Sequence, residues 1–275
     1  MQFKLLIFAT LFVFFISCSK EEAVYQSKPK ENPYFVYNEA YEALEKGDYF
    51  YAQKKFLEAE VSTEKIELAS KASLMASYSL YSINFYDEAL ENLDKFLQKY
   101  PANKDAVYAE YLIAIIYYEQ IKDETKDIKP AILAKEKVEA FLKKYPETEY
   151  ALDLKFKKDL IINQLAAKEL YVAKYYISVQ KWIPAINRLK VILEKYDNTI
   201  FIEEALYRLV EINYFIGLQK EAEKYASILG YNYNSSEWHE QSYKILNKDY
   251  KNQKKARDLK KDNLIKKIFD KIRLN

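Results

Sequence analysis

A short spacing pattern recurs along most of the chain: an alanine is followed by further apolar residues four and seven positions later. In one copy Ala89 is followed by Leu93 and Phe96. Positions four and seven residues apart lie on one face of an α-helix, so each copy predicts a helix with an apolar stripe. The copies begin at Ala52, Ala89, Ala134, Ala185 and Ala222. Units that each carry such a stripe bury it against their neighbours, and the pattern therefore predicts a repeat architecture.

These units resemble the tetratricopeptide repeat, a helix-turn-helix of about 34 residues in which a small residue lets the two helices approach closely. Each copy is expected to form the second helix of a pair. The predicted first helices are 34–46, 70–82, 104–120, 164–180 and 202–216. Only three glycines and six prolines occur in 275 residues, which also favours helices. We therefore predict an all-α tetratricopeptide-repeat superhelix of about five helix pairs over residues 34–247, after an N-terminal lipoprotein signal peptide.

The copies are not evenly spaced, so segments must be inserted between some of the helices. Residues 122–130 form a charged stretch inside the third unit, and we expect a loop there. Residues 149–163 precede the first helix of the fourth pair, and they are expected to form an extra or lengthened helix. Insertions in repeat proteins map to loops on one face.

The N-terminus has the pattern of a secretion signal over residues 1–17: a basic start, an apolar stretch and a small residue. The apolar stretch is too short for a transmembrane helix, which needs about 20 residues. Phe15-Ile16-Ser17-Cys18 resembles a lipobox, and Cys18 is the only cysteine. We predict lipidation of Cys18 and a flexible tether over residues 18–33. An ordinary secretion signal and an uncleaved anchor are the alternatives. In the lipoproteins that this signal resembles, the serine after the cysteine favours the outer membrane.

Longer sequence blocks narrow the resemblance to one family. The most specific blocks are Glu169–Tyr176, Lys181–Arg188 and Phe141–Ala151. They resemble the BamD (ComL) family, lipoproteins of the outer-membrane β-barrel assembly machinery. The chain departs from that family in its third-unit loop, in Asp197 where a proline is usual, and in a basic C-terminal extension.

The resemblance implies a non-catalytic scaffold on the periplasmic face of the outer membrane. Its implied partners are the periplasmic domains of the barrel subunit and unfolded outer-membrane proteins, with no nucleic acid. Arg188 matches the arginine that contacts the barrel subunit in the family, and Asn187 precedes it. Arginine can bind a carboxylate through two parallel hydrogen bonds. A solvated arginine on a helix face is the alternative for this residue.

The chain contains 27 tyrosines, and an aromatic-rich groove could hold an extended peptide with an aromatic end. Our candidates for binding unfolded client proteins are Tyr41, Tyr49, Tyr78 and Tyr81. The competing interpretation is that most tyrosines pack between helices, as is usual at repeat positions.

Patterns typical of catalysis or of cofactor binding do not occur in the sequence. We find no metal-ligand cluster, glycine-rich phosphate loop or nucleophile elbow, and His239 is the single histidine. We therefore expect no catalytic residue, metal or cofactor, and a surface or packing role for His239. The alternatives to an assembly scaffold are another periplasmic repeat lipoprotein that acts as an adaptor in envelope maintenance and, with less support, an envelope hydrolase with appended repeats.

The C-terminal extension, residues 248–275, is strongly basic: its last 25 residues hold ten Lys or Arg and three Asp. Leu264, Ile265, Ile268 and Ile272 share one face at helical spacing. This pattern predicts an amphipathic helix that lies on an anionic surface or docks on a partner. A solvated or frayed tail is the alternative.

Overall fold

The computed structural model describes residues 32–247. The predicted signal peptide, Cys18, most of the tether and the basic extension lie outside the described residues. Eleven helices and no strand occur within residues 32–247. They are α1 (Pro33–Glu45), α2 (Tyr49–Ser62), α3 (Ile66–Ser82), α4 (Tyr86–Lys99), α5 (Ala106–Glu119), α6 (Lys129–Lys144), α7 (Glu149–Ser178), α8 (Trp182–Lys195), α9 (Ile202–Phe215), α10 (Gln219–Asn232) and α11 (Glu237–Leu246).

Four of the turns inside helix pairs share one geometry. Gly47, Asn84, Gln180 and Gly217 each have a positive φ, between 57° and 83°. In each turn the N–H of the following residue donates to the carbonyl five residues before it; one example is Leu218 N to Asn213 O at 2.8 Å. A left-handed residue with this hydrogen bond is a Schellman motif, which caps the first helix and reverses the chain within a few residues.

A second repeated geometry joins one pair to the next. Helices α4, α6, α8 and α10 each end at a tyrosine whose N–H bonds to the carbonyl four residues earlier: Tyr100, Tyr145, Tyr196 and Tyr233. Each tyrosine carbonyl then accepts a hydrogen bond from the N–H three residues later, at 3.0 to 3.5 Å. Both ends of each connection are therefore fixed by backbone hydrogen bonds.

The chain divides into two compact units at Ala76 and Ser77, within α3. In the first unit, Val36, Ala40, Ala52 and Phe56 form a core from α1 and α2. The core of the second unit has one cluster around Phe141 and the first half of α7, and another around the end of α7 and helices α8–α10. The alanines that begin the sequence copies, Ala52, Ala89, Ala134, Ala185 and Ala222, all have 0% of their surface exposed. This burial agrees with the sequence interpretation, because only a small side chain allows the close approach of two helices.

The all-α repeat of helix pairs is confirmed. Of the two predicted possibilities for residues 149–163, the lengthened helix is the one observed: residues 149–178 form a single helix of 30 residues, and the predicted first helix 164–180 is its second half. Nothing in the sequence of this stretch breaks a helix, since it contains neither glycine nor proline. Helix α11 follows the fifth pair as an additional helix. None of the helices within residues 32–247 combines the length and the hydropathy that a membrane-spanning helix needs.

The third-unit insertion is attached to α7. Gln164 donates from its side-chain amide to the carbonyl of Lys122 at 2.8 Å, and the Lys168 ammonium donates to the carbonyl of Lys126 at 2.9 Å. The lengthened helix therefore supports the loop that the sequence places between α5 and α6.

Candidate binding sites

Arg188 lies on α8 beside α7, where it pairs with Glu169. Its Nη1 lies 3.3 and 3.2 Å from the two carboxylate oxygens. The arginine side chain is 46% exposed, and that of Glu169 is 17% exposed. Nε and Nη2 form no hydrogen bond with residues 32–247, so the guanidinium retains donors that can face a second acceptor.

Asn187 is exposed on the same helix but points away from Glu169, because successive residues in a helix are about 100° apart. It shares the outer face of α8 with Ile183, which is 65% exposed. The structure therefore separates the two predicted residues: Arg188 lies at the edge of α8 next to α7, and Asn187 lies on its solvent face.

An ion pair joins α7 to α9, and its glutamate also belongs to an ion pair within α9. Lys174 lies 2.7 Å from Glu204, and Arg208 contacts the same carboxylate at 3.2 Å and Glu211 at 2.8 Å. The Glu204 side chain is only 13% exposed. Burial by itself would lower the pKa of Arg208, but hydrogen bonds to Glu211 and Glu204 together outweigh it and raise the pKa. The network orients α9 against α7, the helix that carries the partner of Arg188.

A groove of about 680 Å³ runs along α7, beside the end of α5 and the start of α9. Its walls combine apolar side chains, among them Leu160 and Ile200, with the charged Lys122 and Lys174. Ile200 is 79% exposed. A short stripe of exposed apolar residues, Leu152 and Phe156, continues from Leu160 along the helix at a spacing of four.

The two candidate tyrosines of the first unit differ in exposure. Tyr41 lies on α1 and is 44% exposed, so its ring is available to a ligand. Tyr49 begins α2 and is half-buried. The nearby Tyr37 packs edge-on against Phe56, with ring centroids 5.3 Å apart, and belongs to the core.

The candidate tyrosines of the second unit, Tyr78 and Tyr81, are half-buried in α3 and lie in an aromatic cluster. Their ring centroids are 6.0 Å apart, and the ring of Tyr81 is 6.3 Å from that of Tyr86. The hydroxyls of Tyr81 and Tyr86 donate to the two oxygens of Glu119, at 2.8 and 3.0 Å. Burial, followed by the hydrogen bond to Glu119, raises the pKa of Tyr81. The Tyr81 hydroxyl therefore already has a partner, although its ring retains partial exposure.

Sequence reasoning missed Glu119 and Glu169 as partners of the candidate residues. Glu119 follows Tyr81 by 38 residues and Glu169 precedes Arg188 by 19, and each contact joins two helices. Glutamates are frequent in this chain, and no local pattern marks these two.

His239 packs against Tyr243, with ring centroids 5.0 Å apart, and its Nδ1 lies 3.0 Å from the carbonyl oxygen of Asn234. Within residues 32–247, no group of three or more His, Cys, Asp or Glu side chains is arranged to hold a metal ion. The candidate sites described above are surfaces of charged and aromatic side chains.

Comparison with known proteins gives consistent matches. The family model described as outer membrane lipoprotein (YfiO) matches residues 29–228. The outer membrane protein assembly factor BamD of Rickettsia prowazekii (strain Madrid E) is 38% identical over 217 residues, which cover 79% of this chain and 86% of that protein. The protein of the same name from Caulobacter vibrioides is 36% identical over 228 residues, covering 83% of this chain and 74% of that protein.

Among solved structures, a tetratricopeptide-repeat protein of Thermus thermophilus aligns with a TM-score of 0.36 and 15% identity, over 78% of this chain and 99% of that protein. A score this low adds nothing to the fold assignment, which follows from the helix pairs themselves. The family match and the two relatives confirm the resemblance seen in the sequence and support association with the outer membrane. The chain belongs to the YfiO family of outer membrane lipoproteins, the family of the BamD assembly factors.

Proposed function

We propose that this chain is a non-catalytic scaffold lipoprotein of outer-membrane β-barrel assembly, anchored at Cys18 to the periplasmic face of the outer membrane. In this role it binds the periplasmic domains of the barrel subunit and unfolded outer-membrane proteins. The relatives named as assembly factors support the general role. The exposed guanidinium of Arg188, held at one nitrogen by Glu169, is the observation that supports the barrel-subunit site.

The geometry of Arg188 suits recognition of a carboxylate on the partner. Glu169 occupies Nη1 and fixes the orientation of the side chain, so less rotational freedom is lost when a partner binds. Nε and Nη2 remain for a second acidic group, and the 46% exposure allows a partner to reach them. Asn187 adds a donor and an acceptor on the adjoining face of α8.

The test is to measure the affinity of the mature chain for the purified periplasmic domains of the barrel subunit. Arg188→Glu places a like charge against both Glu169 and the partner's carboxylate, and we expect the Kd to rise by about 30-fold or more, a loss of at least about 2 kcal/mol. Lys190→Glu makes the same charge change at an exposed position of the same helix. It should change the affinity by less than about threefold. Equal losses in both variants would indicate a general electrostatic effect and would contradict the site.

We propose that clients bind to the exposed ring of Tyr41 and to Tyr49 in the first unit, and to Tyr78 and Tyr81 in the second unit. A peptide that carries the aromatic C-terminus of an outer-membrane protein is the probe. Tyr41→Ala should weaken its binding about fivefold to tenfold, and Tyr41→Phe should retain most of it, because ring contacts contribute most of the energy. Tyr231→Ala removes a ring that is 90% exposed at the other end of the described chain, and it serves as the control. A Tyr41→Ala variant with unchanged affinity would exclude Tyr41 from the site.

The anchor is tested by fractionation of cells that produce the Cys18→Ser chain. We expect the protein to move from the membrane fraction to the soluble periplasmic fraction, since several acyl chains give stable binding and none would remain. Undiminished membrane association would show that a partner or the basic extension holds the protein at the membrane.

A further inference from the structure

Helix α11 enters the fold as the first helix of a pair. Tyr233 ends α10, its carbonyl accepts from the N–H of Ser236 at 3.1 Å, and α11 begins at the next residue. The same tyrosine turn precedes α7, where Thr148 corresponds to Ser236. The hydroxyls of Thr148 and Ser236 each accept from the backbone N–H three residues later, which caps the helix.

The packing of α11 agrees with this assignment. It contacts both helices of the preceding pair, α9 and α10, just as α7 contacts both α5 and α6. Trp238 of α11 packs against Tyr207 of α9, with ring centroids 5.1 Å apart. Every earlier first helix is followed by a second helix, whereas the described chain ends at Asn247, one residue after α11.

An open groove of about 560 Å³ lies between α10 and α11. Its lining is largely apolar or aromatic: Ala226, Gly230, Tyr231, His239, Tyr243 and Leu246. Tyr231 is 90% exposed and Tyr243 is 46% exposed. The imidazole of His239 lies against Gly230: a Cβ there would be 2.9 Å from Nε2, so a side chain at this position would displace the ring. A repeat array needs a capping element that covers the apolar surface of its terminal unit.

We propose that residues 248–275 supply the second helix of the pair that α11 begins, and that they cover this groove with the face formed by Leu264, Ile265, Ile268 and Ile272. The length is sufficient: 28 residues follow Asn247, which itself lines the groove, whereas α2, α4, α8 and α10 each need only 14. The 16 residues between Asn247 and Leu264 precede the apolar face. At roughly 3.3 Å per extended residue they can span the groove in any direction.

Charge complementarity favours the chain's own extension as the occupant. Residues 248–275 hold eleven basic and four acidic side chains, whereas residues 32–247 hold 28 basic and 34 acidic ones. Near the groove, the carboxylates of Glu223 and Glu237 accept hydrogen bonds from the side-chain amides of Gln219 and Gln241. Neither has a Lys, Arg or His side chain within 4 Å among residues 32–247. The lysines that flank the apolar face of the extension would provide such partners.

Hydrogen exchange on the full mature chain tests the proposal. Ile268→Asp places a charge on the apolar face, and we expect the exchange of backbone amides in α11 to rise about tenfold as the cover is lost. Asn263→Asp adds the same charge on the opposite face of the predicted helix and should leave the exchange unchanged. Unchanged exchange in both variants, or an equal rise in both, would overturn the proposal.

Cross-linking provides a second measurement, in the chain with Cys18→Ser. The pair Tyr231→Cys with Ile268→Cys should form an intramolecular disulfide on mild oxidation, several-fold faster than Tyr231→Cys with Asn263→Cys. Binding of the chain to vesicles that contain phosphatidylglycerol tests the alternative, in which the apolar face of the extension lies on a lipid surface. If Ile268→Asp abolishes vesicle binding while the exchange of α11 stays the same, the face lies on lipid and the proposal is wrong.

Discussion

At the scale of single residues, the turns with a positive φ allow a test of how much stability glycine contributes there compared with other residues. Gln180 has a φ of 57° and occupies the position that glycine holds at 217. An L-residue in this region costs roughly 1–2 kcal/mol, whereas glycine adds about 0.5–1 kcal/mol of backbone entropy to the unfolded chain. The first effect is larger, so we expect Gln180→Gly to raise the free energy of unfolding by about 0.5–1 kcal/mol, measured by urea denaturation.

The reverse change at Gly217 is the matched control. A Cβ added there meets no atom within 4 Å, so the cost of Gly217→Ala is conformational and not steric. We expect it to lower the free energy of unfolding by about 0.5–1 kcal/mol. Changes of the same sign in both variants would contradict the view that φ alone decides the residue at these turns.

The carboxylate of Asp153 makes stability depend on pH. Burial opposes its ionisation, but hydrogen bonds from Lys157, at 2.7 Å, and Tyr111, at 2.8 Å, outweigh this and lower its pKa. A carboxylate whose pKa is lower in the folded state than in the unfolded state stabilises the fold at pH values above its unfolded-state pKa, which is about 3.9. This stability is lost as the pH falls through the folded-state pKa.

We therefore expect Asp153→Asn to lower stability at pH 7 and to reduce the loss of stability between about pH 5 and pH 2. The effect should be roughly 1 kcal/mol or less, because 36% of the Asp153 side chain is exposed to solvent. Denaturation midpoints measured across this range test the prediction. An acid-induced loss as steep as that of the unmodified chain would show that other carboxylates account for it.

At the scale of elements, α7 is the helix that most other features of the second unit depend on. Its first half packs with Phe141 of α6, its second half packs with α8, and it carries Glu169 opposite Arg188. A continuous helix fixes the distance and rotation between its two halves, at about 1.5 Å and 100° per residue. Two separate helices, one of them 164–180, would not impose this relation.

Asp159 lies on the exposed face of α7 near the middle, which makes it a suitable position for testing continuity. Asp159→Pro removes one backbone hydrogen bond and introduces a clash with the preceding turn, and we expect a loss of about 3 kcal/mol or more. Asp159→Ala keeps the helix and should change stability by less than about 0.5 kcal/mol. Thermal unfolding followed by circular dichroism measures both. Similar stabilities for the two variants would mean that continuity at this point is unimportant.

At the scale of the whole molecule, stability should be local, because repeat proteins are stabilised by contacts between neighbouring elements. Phe56 is fully buried in the core of the first unit, with Val36, Ala40 and Ala52 in the same cluster. Phe56→Ala should cost about 3–5 kcal/mol and raise amide exchange in α1 and α2. Exchange in α9 and α10 should stay near its original rate. Phe141→Ala is the counterpart in the second unit. Uniform acceleration across residues 32–247 from either variant would instead indicate a single cooperative unit.

The sequence by itself determined the five helix pairs, but it did not indicate the additional helix α11. The buried alanines and the apolar residues after them lie at helical spacing, so their burial follows from period and size alone. Pro101 and Pro146 mark where the second helices α4 and α6 stop. These are local properties, set by contacts within a few residues of one another.

Only the tertiary structure decided which side chains meet across helices. The pairing of Arg188 with Glu169, the sharing of Glu119 by Tyr81 and Tyr86, and the position of His239 over Gly230 join residues far apart along the chain or on different helices. Many glutamates and tyrosines have equal intrinsic propensity for such contacts. The choice among them depends on how helices of particular length and rotation pack, and in this chain the 30-residue α7 sets that geometry for the second unit.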